Sequence, residues 1–165
     1  MTLEGVERAL ELVDLGEVQS ACSVLDRTHE DIVEFCRERE IAFVPLFPLG
    51  SAFTGGPQKL AGDSAVSSVA NEHGVTPSQV ALAWLLARYD RRLLISGTTS
   101  VAHLEENLAA GGLELDDQDM AVLDVSSRTC ASRTDLQDRA AGRPAAPALA
   151  TCRALAPQTH PRTAL

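Results

Sequence analysis

The residues best suited to chemistry follow a short apolar run at positions 93–95. That run leads into a glycine and three hydroxyl residues at the predicted start of a helix, namely Gly97, Thr98, Thr99 and Ser100. Unpaired backbone N–H groups at a helix start, the positive end of its dipole and nearby hydroxyls together bind phosphate. Threonine and serine before a helix also serve as ordinary caps. The local pattern therefore leaves a phosphate site and a simple cap open.

Composition restricts the other chemistries. The chain has one Tyr, Tyr89, and one Lys, Lys59, so a Tyr acid activated by a Lys has a single candidate pair. Four Cys and four His are scattered without a Cys-x-x-Cys pair, so we expect reduced thiols and no metal site. Fourteen basic against 23 acidic residues give a net charge of -9, which argues against nucleic-acid and anionic-membrane partners. The sequence shows neither a leader nor a spanning pattern, so we expect a cytoplasmic protein.

Hydrophobic periodicity predicts the elements that would position these residues. The predicted helices lie at 3–13, 29–40, 60–73, 76–86 and 100–110, and a last short helix is capped at 116–117 and ends at Asp124. The predicted buried strands lie at 17–25, 41–45 and 93–95. This alternation indicates βαβ units and a parallel sheet, and hence an α/β fold. Three parallel strands leave two open edges, so we expect part of a larger structure.

The amino-acid composition changes near residue 127. Residues 128–165 contain ten Ala, six Arg and four Pro, but no Ile, Val, Phe, Trp or Tyr. Such a segment cannot bury enough apolar area to offset its ordering entropy. We therefore predict a folded part at 1–127 and a low-complexity, disordered tail at 128–165. An Arg-containing interaction arm and an unrelated C-terminus remain alternatives for the tail.

Five motifs, in order and at matching spacing, carry a resemblance to a known family. They are Val-Gln at 18–19, Leu-Asp-Arg at 25–27, the run 43–50 (FVPLFPLG), the run 76–86 (TPSQVALAWLL) and residues 97–107. Over about residues 3–126 the sequence resembles the C-terminal half of a bacterial aldo-keto reductase. The resemblance implies a partial (β/α)8 TIM barrel, about strands 6–8 with their helices. It also implies a carbonyl oxidoreductase that depends on NADP(H) or, alternatively, on NAD(H). The sequence gives no sign that folding requires a cofactor.

The resemblance assigns residues to the nicotinamide end of the cofactor. Gln19 would contact the carboxamide from the end of strand six of the family barrel. Leu49 and Ser51 would line the pyrophosphate path after strand seven. Leu46 takes the position where the family usually has a Tyr or Trp stacked on the nicotinamide, and leucine offers no π-face. Ser20 replaces a common Asn.

The adenosine end is assigned in the same way. Three residues would surround the phosphate: Thr98, Thr99 and Ser100. His103 takes the place where many members have an Arg against the 2'-phosphate, and Glu106 and Asn107 match the adenine contacts. Gly97 replaces a Lys of some members, so the loop at 97–103 has no Lys or Arg of its own. The choice between NADPH and NADH therefore stays open.

The family's catalytic tetrad of Asp, Tyr, Lys and His comes from strands two to five and has no counterpart in this sequence. The lone Tyr89 ends a helix that leads into strand eight, and so lies at the face opposite the strand ends where barrels catalyse. Lys59 follows strand seven and would not meet it there. We therefore assign no catalytic residue, expect the isolated chain to be inactive, and leave its status as an enzyme open.

Two other hypotheses belong to different classes. Exposed sheet edges favour a non-enzymatic module that binds a dinucleotide, self-associates or docks onto a complementary half-barrel. Alternatively, the chain is a fragment without a selected function. A small carbonyl substrate is expected as a partner only if the missing half-barrel is supplied. The sequence fixes neither the substrate nor the oligomeric state.

Overall fold

The structure, a computed structural model, describes residues 1–51 and 55–125. The predicted disorder of residues 128–165 lies outside the described residues. Helices and strands alternate in the first half, and helices follow in the second: α1 (Leu3–Leu10), β1 (Glu17–Ala21), α2 (Glu30–Glu38), β2 (Ala42–Leu46), α3 (Gly56–Gly62), α4 (Ser64–His73), α5 (Pro77–Ala87), α6 (Val101–Ala109), a 3-10 turn (Ala110–Gly112) and α7 (117–125). None of the helices in the described ranges is long and apolar enough to cross a membrane.

The two strands form a parallel pair connected through α2. Val18 lies opposite Phe43, and Gln19 lies opposite Val44. A parallel connection needs a crossover of a dozen or more residues, which α2 provides with its buried face of Ile32, Val33, Phe35 and Cys36. The apolar sequence of β2 agrees with this, because Phe43 and Val44 are both buried.

The prediction of a third buried strand at 93–95 is wrong. Only a single bridge joins this segment to β2: the Phe43 N–H donates to the Arg91 carbonyl at 3.1 Å, and the Leu93 N–H donates to the Phe43 carbonyl at 3.2 Å. In a parallel sheet, every second residue of a strand forms hydrogen bonds with the same neighbouring strand. After Phe43, the next residue of β2 on this edge is Pro45, and proline has no N–H to donate. The ladder stops there, and Leu93 and Ile95 are exposed.

The helix predicted at 60–73 is two helices. Asp63 ends α3 and caps α4, where its side chain accepts hydrogen bonds from the N–H groups of Ala65 and Val66, each at 3.0 Å. An aspartate in this role satisfies N–H groups that have no partner within the helix. The chain therefore turns at Asp63 instead of continuing one helix.

Helix α5 forms the centre of the helical layer and packs against α3, α4 and α6. It starts with a capping box between Thr76 and Gln79 and with a proline in its first turn. Its side chains from Val80 to Leu85 are all buried. Trp84 is only 1% exposed and belongs to the core. Its apolar neighbours in the sequence indicate the same.

An ion-pair cluster attaches α7 to the rest of the fold. Asp124 pairs with Arg27 and with Arg88, and it accepts a hydrogen bond from the Trp84 indole N–H at 3.1 Å. Arg88 also pairs with Glu30 of α2. Burial raises the pKa of Asp124, but hydrogen bonds from Arg27 and Trp84 and the charges of both arginines outweigh it, so this pKa lies below its usual range.

We predict that Asp124→Asn lowers the free energy of unfolding by about 1–3 kcal/mol, because two arginines lose a charged acceptor. Urea unfolding followed by Trp84 fluorescence measures this change. The matched control is Glu34→Gln, which removes the exposed i,i+3 pair with Arg37 and should cost less than about 0.5 kcal/mol. Equal losses for the two variants would contradict a special role for the cluster.

The same variant has a defined pH dependence. The lowered pKa means that Asp124 stabilises the fold above the carboxyl pKa of the unfolded chain, about 3.9, and that this contribution is lost as the pH falls through the folded-state value. The Asn variant lacks this contribution at every pH. We therefore expect its unfolding free energy to fall less steeply on acidification than that of the unaltered chain, and parallel curves would contradict this.

Candidate functional site

A cavity of about 470 Å³ lies at the carboxyl ends of β1 and β2. It is lined by a residue of β1, by the end of β2 and the turn after it, by the start of α3, and by the segment that diverges from β2: Gln19, residues 44–50, Pro57 and residues 95–97. Ligand sites in α/β sheets and barrels lie at this end of the strands. The cavity is therefore the candidate site.

Four of the residues assigned to the cofactor meet in this cavity: Gln19, Leu46, Leu49 and Gly97. Gln19 projects from β1 opposite Val44, and its Nε2 donates to the Glu17 carboxylate at 3.1 Å, which holds the amide in place. Among the described residues, no group donates to the Gln19 amide oxygen. Ser51 directly follows the turn but does not line the cavity.

The segment at 98–100 lies beyond the cavity lining, and its hydroxyls serve the local fold. The Thr98 hydroxyl accepts from the Ser100 N–H at 3.1 Å, and Ser100 caps α6 by accepting from the His103 N–H at 3.4 Å. Within the described part of the chain, the N–H groups of Val101 and Ala102 have no hydrogen-bond partner. The start of α6 therefore has a side-chain cap and also keeps two unpaired N–H donors of the kind that a phosphate would require.

The residues assigned to adenine lie on α6. His103 is exposed, whereas Glu106 and Asn107 are partly buried, and none of the three lines the cavity. The structure thus places the eleven assigned residues in two groups, one around the cavity and one along 98–107. The segment 95–97 runs from the first group to the second.

Eight of the twelve lining residues have no role assigned from the sequence, and two of these eight, Phe47 and Ser96, bear on ligand binding. The Ser96 Oγ is buried and has no hydrogen-bond partner among the described residues. The apolar walls formed by Val44 and Leu46, together with the polar groups of Gln19 and Ser96, suit a flat ring that carries a polar substituent. A nicotinamide ring has this chemistry, so the lining residues fit that end of the cofactor.

The buried thiols have environments that make them unreactive. Burial raises the pKa of the Cys36 thiol to about 11. Burial also raises the pKa of Cys22, and the positive charge of Arg92 offsets only part of this effect. Since the thiolate is the nucleophile, neither residue is suited to attack a substrate, and both behave as small apolar side chains.

The lone tyrosine lies at the opposite end of the sheet from the cavity. The Tyr89 hydroxyl donates to the carbonyls of Cys36, at 3.2 Å, and Ile41, at 2.9 Å. Ile41 directly precedes β2, and Val44, the first residue of this strand to line the cavity, lies about 10 Å further along. Burial raises the pKa of Tyr89, with a partial offset from the charge of Arg91. Lys59 lies in α3.

The histidine and acidic residues near the C-terminal side form structural contacts. His73 Nε2 lies 2.8 Å from Asp119 Oδ2, and this carboxylate also accepts from the Asp116 N–H at 3.1 Å. His73 is the exposed last residue of α4, and its ring pairs with the buried Asp119. Across residues 1–51 and 55–125, no group of three or more His, Cys, Asp or Glu side chains is arranged to hold a metal ion.

Comparison with known proteins identifies the family to which this chain belongs. Residues 2–128 match the model of the aldo/keto reductase family, so the chain belongs to this family. It is 42% identical over 123 residues to the pyridoxine 4-dehydrogenase of Escherichia coli (strain K12), a match that covers 74% of this chain and 41% of the relative.

Solved structures agree with this family. The thermostable aldo-keto reductase Tm1743, solved with the inhibitor epalrestat, superposes with a TM-score of 0.65 at 28% identity, over 76% of this chain and 46% of that protein. An aldo-keto reductase from Klebsiella pneumoniae in complex with NADP and acetate superposes with a TM-score of 0.66 at 24% identity, over 75% and 44% of the two chains. The chain thus spans less than half the length of these proteins.

We predict that Tyr89→Phe destabilises the fold by about 1–2 kcal/mol, because the Ile41 carbonyl loses its donor and the Cys36 carbonyl keeps only the Ile41 N–H. Dinucleotide binding by the folded variant should equal that of the unaltered chain, because Tyr89 is a strand length away from the cavity. Thermal unfolding and calorimetric titration with NADPH measure the two quantities. Weaker binding at unchanged stability would place the phenol at the ligand and contradict this assignment.

Proposed function

We propose that this chain is the dinucleotide-binding half of an NAD(P)H-dependent carbonyl oxidoreductase of the aldo-keto reductase family. The observation that carries the proposal is the meeting of Gln19, Leu46, Leu49 and Gly97 around one cavity at the carboxyl ends of the strands. The resemblance assigned these residues to the cofactor from separate parts of the sequence. Their convergence supports the proposal.

Each part of the site has a distinct task in this proposal. Gln19, held by Glu17, orients the carboxamide of the nicotinamide ring, and Leu46 and Leu49 exclude water from the ring. The start of α6 offers the N–H groups of Val101 and Ala102 to the adenosine phosphate. The bound dinucleotide would supply the hydride for carbonyl reduction.

The chain alone should bind but not catalyse. Protonation of the carbonyl oxygen needs an acid at the ring, and the lone Tyr89 is committed to two backbone carbonyls at the far end of β2. The tetrad that the family places on strands two to five therefore has to come from a complementary half-barrel. With that half supplied, the likeness to pyridoxine 4-dehydrogenase suggests a pyridine alcohol and its aldehyde as the substrate pair. The cytoplasmic location stays a prediction.

We expect weak binding of NADPH by the 165-residue chain and no aldehyde-dependent loss of the reduced nicotinamide absorbance. Calorimetric titration measures the first quantity and the absorbance the second. Gln19→Leu should weaken binding about three- to tenfold, since one hydrogen bond of about 1 kcal/mol is lost. The control is Gln118→Leu on α7, outside the cavity.

Two results would contradict the proposal. Absence of NADPH binding by the unaltered chain would refute the dinucleotide site. Aldehyde turnover by the purified chain would refute the claim that the proton-donating groups must come from elsewhere.

An apolar face of α6 favours assembly as a second candidate function. Val101, Leu104 and Leu108 are 71%, 47% and 71% exposed, and their spacing places them on one side of the helix. The exposed Leu93 and Ile95 lie in the segment that leads into this helix. An apolar surface of this kind favours association, and a second copy of the chain brings the same surface.

For this second candidate we expect a dimer in light scattering coupled to size-exclusion chromatography. Leu104→Glu should shift the chain toward the monomer, because a charge would be buried in the interface. Glu105→Gln changes a neighbouring exposed position and is the control. A monomer at every concentration of the unaltered chain would contradict self-association.

A further inference from the structure

Phe47 has a backbone conformation that its side chain opposes. Its φ is +55°, in the left-handed region that bulky residues rarely occupy. Pro48 follows it, and the residue before a proline normally adopts an extended conformation. Phe47 therefore departs from the preferred geometry on two counts, and strained residues of this kind concentrate at ligand sites.

Hydrogen bonds on both sides hold this conformation. The Leu46 carbonyl accepts from the Cys22 N–H at 3.4 Å, and the Phe47 carbonyl accepts from the Gly50 N–H at 2.8 Å, which closes the turn. Glycine would adopt the same φ without a steric penalty. The turn itself therefore does not require a phenylalanine, and the reason for this side chain has to lie elsewhere.

The Phe47 side chain lines the cavity and is 54% exposed. Leu46 lines the same cavity and has no π-face to offer a planar ring. Phe47 is the one aromatic residue among the described lining residues. An aromatic surface at this position can supply what Leu46 lacks.

Ser96 gives a second, independent indication of a ligand in this cavity. Its buried Oγ has no hydrogen-bond partner among the described residues, and such orphaned groups are rare in folded proteins. Ser96 lines the cavity together with Phe47. A planar ring with a polar substituent would satisfy the hydroxyl and cover the aromatic face at the same time.

We propose that Phe47 and Ser96 form the ring-binding pair of this cavity, with Phe47 stacking on the nicotinamide ring and Ser96 hydrogen-bonding its polar substituent. This assignment rests on the proposed function, because it names the residues that hold the cofactor's ring. It makes Phe47, in place of Leu46, the positioning residue for that ring.

The test uses the full chain and three probes: NADPH, reduced nicotinamide mononucleotide and adenosine 2',5'-bisphosphate. Phe47→Leu keeps the apolar volume and removes the π-face, whereas Phe47→Tyr keeps both. We expect Phe47→Leu to weaken calorimetric binding of the two nicotinamide probes by about two- to tenfold, the measured range for an aromatic pair. Binding of the bisphosphate should not change, and Phe47→Tyr should bind all three probes like the unaltered chain.

The possible outcomes distinguish failure of the proposed function from failure of the Phe47 assignment. If the unaltered chain binds none of the probes, the proposed function fails and this assignment fails with it. If it binds them and Phe47→Leu binds NADPH equally well, only the assignment of Phe47 is overturned. Phe47→Gly supplies a further check, because it should raise the unfolding temperature by relieving the positive φ while losing at least as much affinity as Phe47→Leu.

Ser96→Ala tests the second residue of the pair. Because its Oγ has no partner among the described residues, removing the hydroxyl should leave the stability unchanged or increased. Binding of the mononucleotide should weaken about three- to tenfold, as for one hydrogen bond. A loss of stability with unchanged binding would show that the hydroxyl serves the fold, and it would overturn its assignment to the ligand.

Discussion

The cavity depends on the way in which β2 is hydrogen-bonded along its two edges. On one edge β2 pairs with β1, and the Leu46 carbonyl still accepts from the Cys22 N–H at the end of this ladder. On the other edge Phe43 bonds to residues 91–93, but Pro45 has no N–H with which to continue. The segment after 93 therefore leaves β2, and the space bounded by 44–50 and 95–97 is the cavity.

This constraint also explains what the sequence could and could not predict about the fold. Hydrophobic periodicity and capping residues predict the helices and both paired strands, because elements such as α5 and β2 are long or apolar enough to be unambiguous. The apolar residues at 93–95 predict a strand, but they carry no information on which N–H groups of β2 can pair with it. Pro45 carried that information, just as Asp63 carried the signal for the break between α3 and α4.

The candidate site was predictable to the extent that family motifs mark it. Gln19, Leu46, Leu49 and Gly97 belong to three separate motifs, and the structure brings them to one cavity. Phe47 and Ser96 were missed because no sequence pattern encodes their properties. A positive φ and a buried hydroxyl without a partner arise from the arrangement of neighbouring segments, although a phenylalanine directly before Pro48 does argue against ordinary helical backbone there.

The proposed ligand groups and the exposed apolar residues lie on the same segments of the chain, and this links the two proposals. The outer edge of β1 has no strand beside it among the described residues. The exposed apolar side chains of Leu93, Ile95 and α6 lie on the segments that carry the proposed ligand groups. A half-barrel that paired with these edges would also complete the open wall of the cavity. A ligand held by both halves then binds the assembled state more tightly than the separate chain, so ligand and partner must each increase the affinity for the other by the same factor.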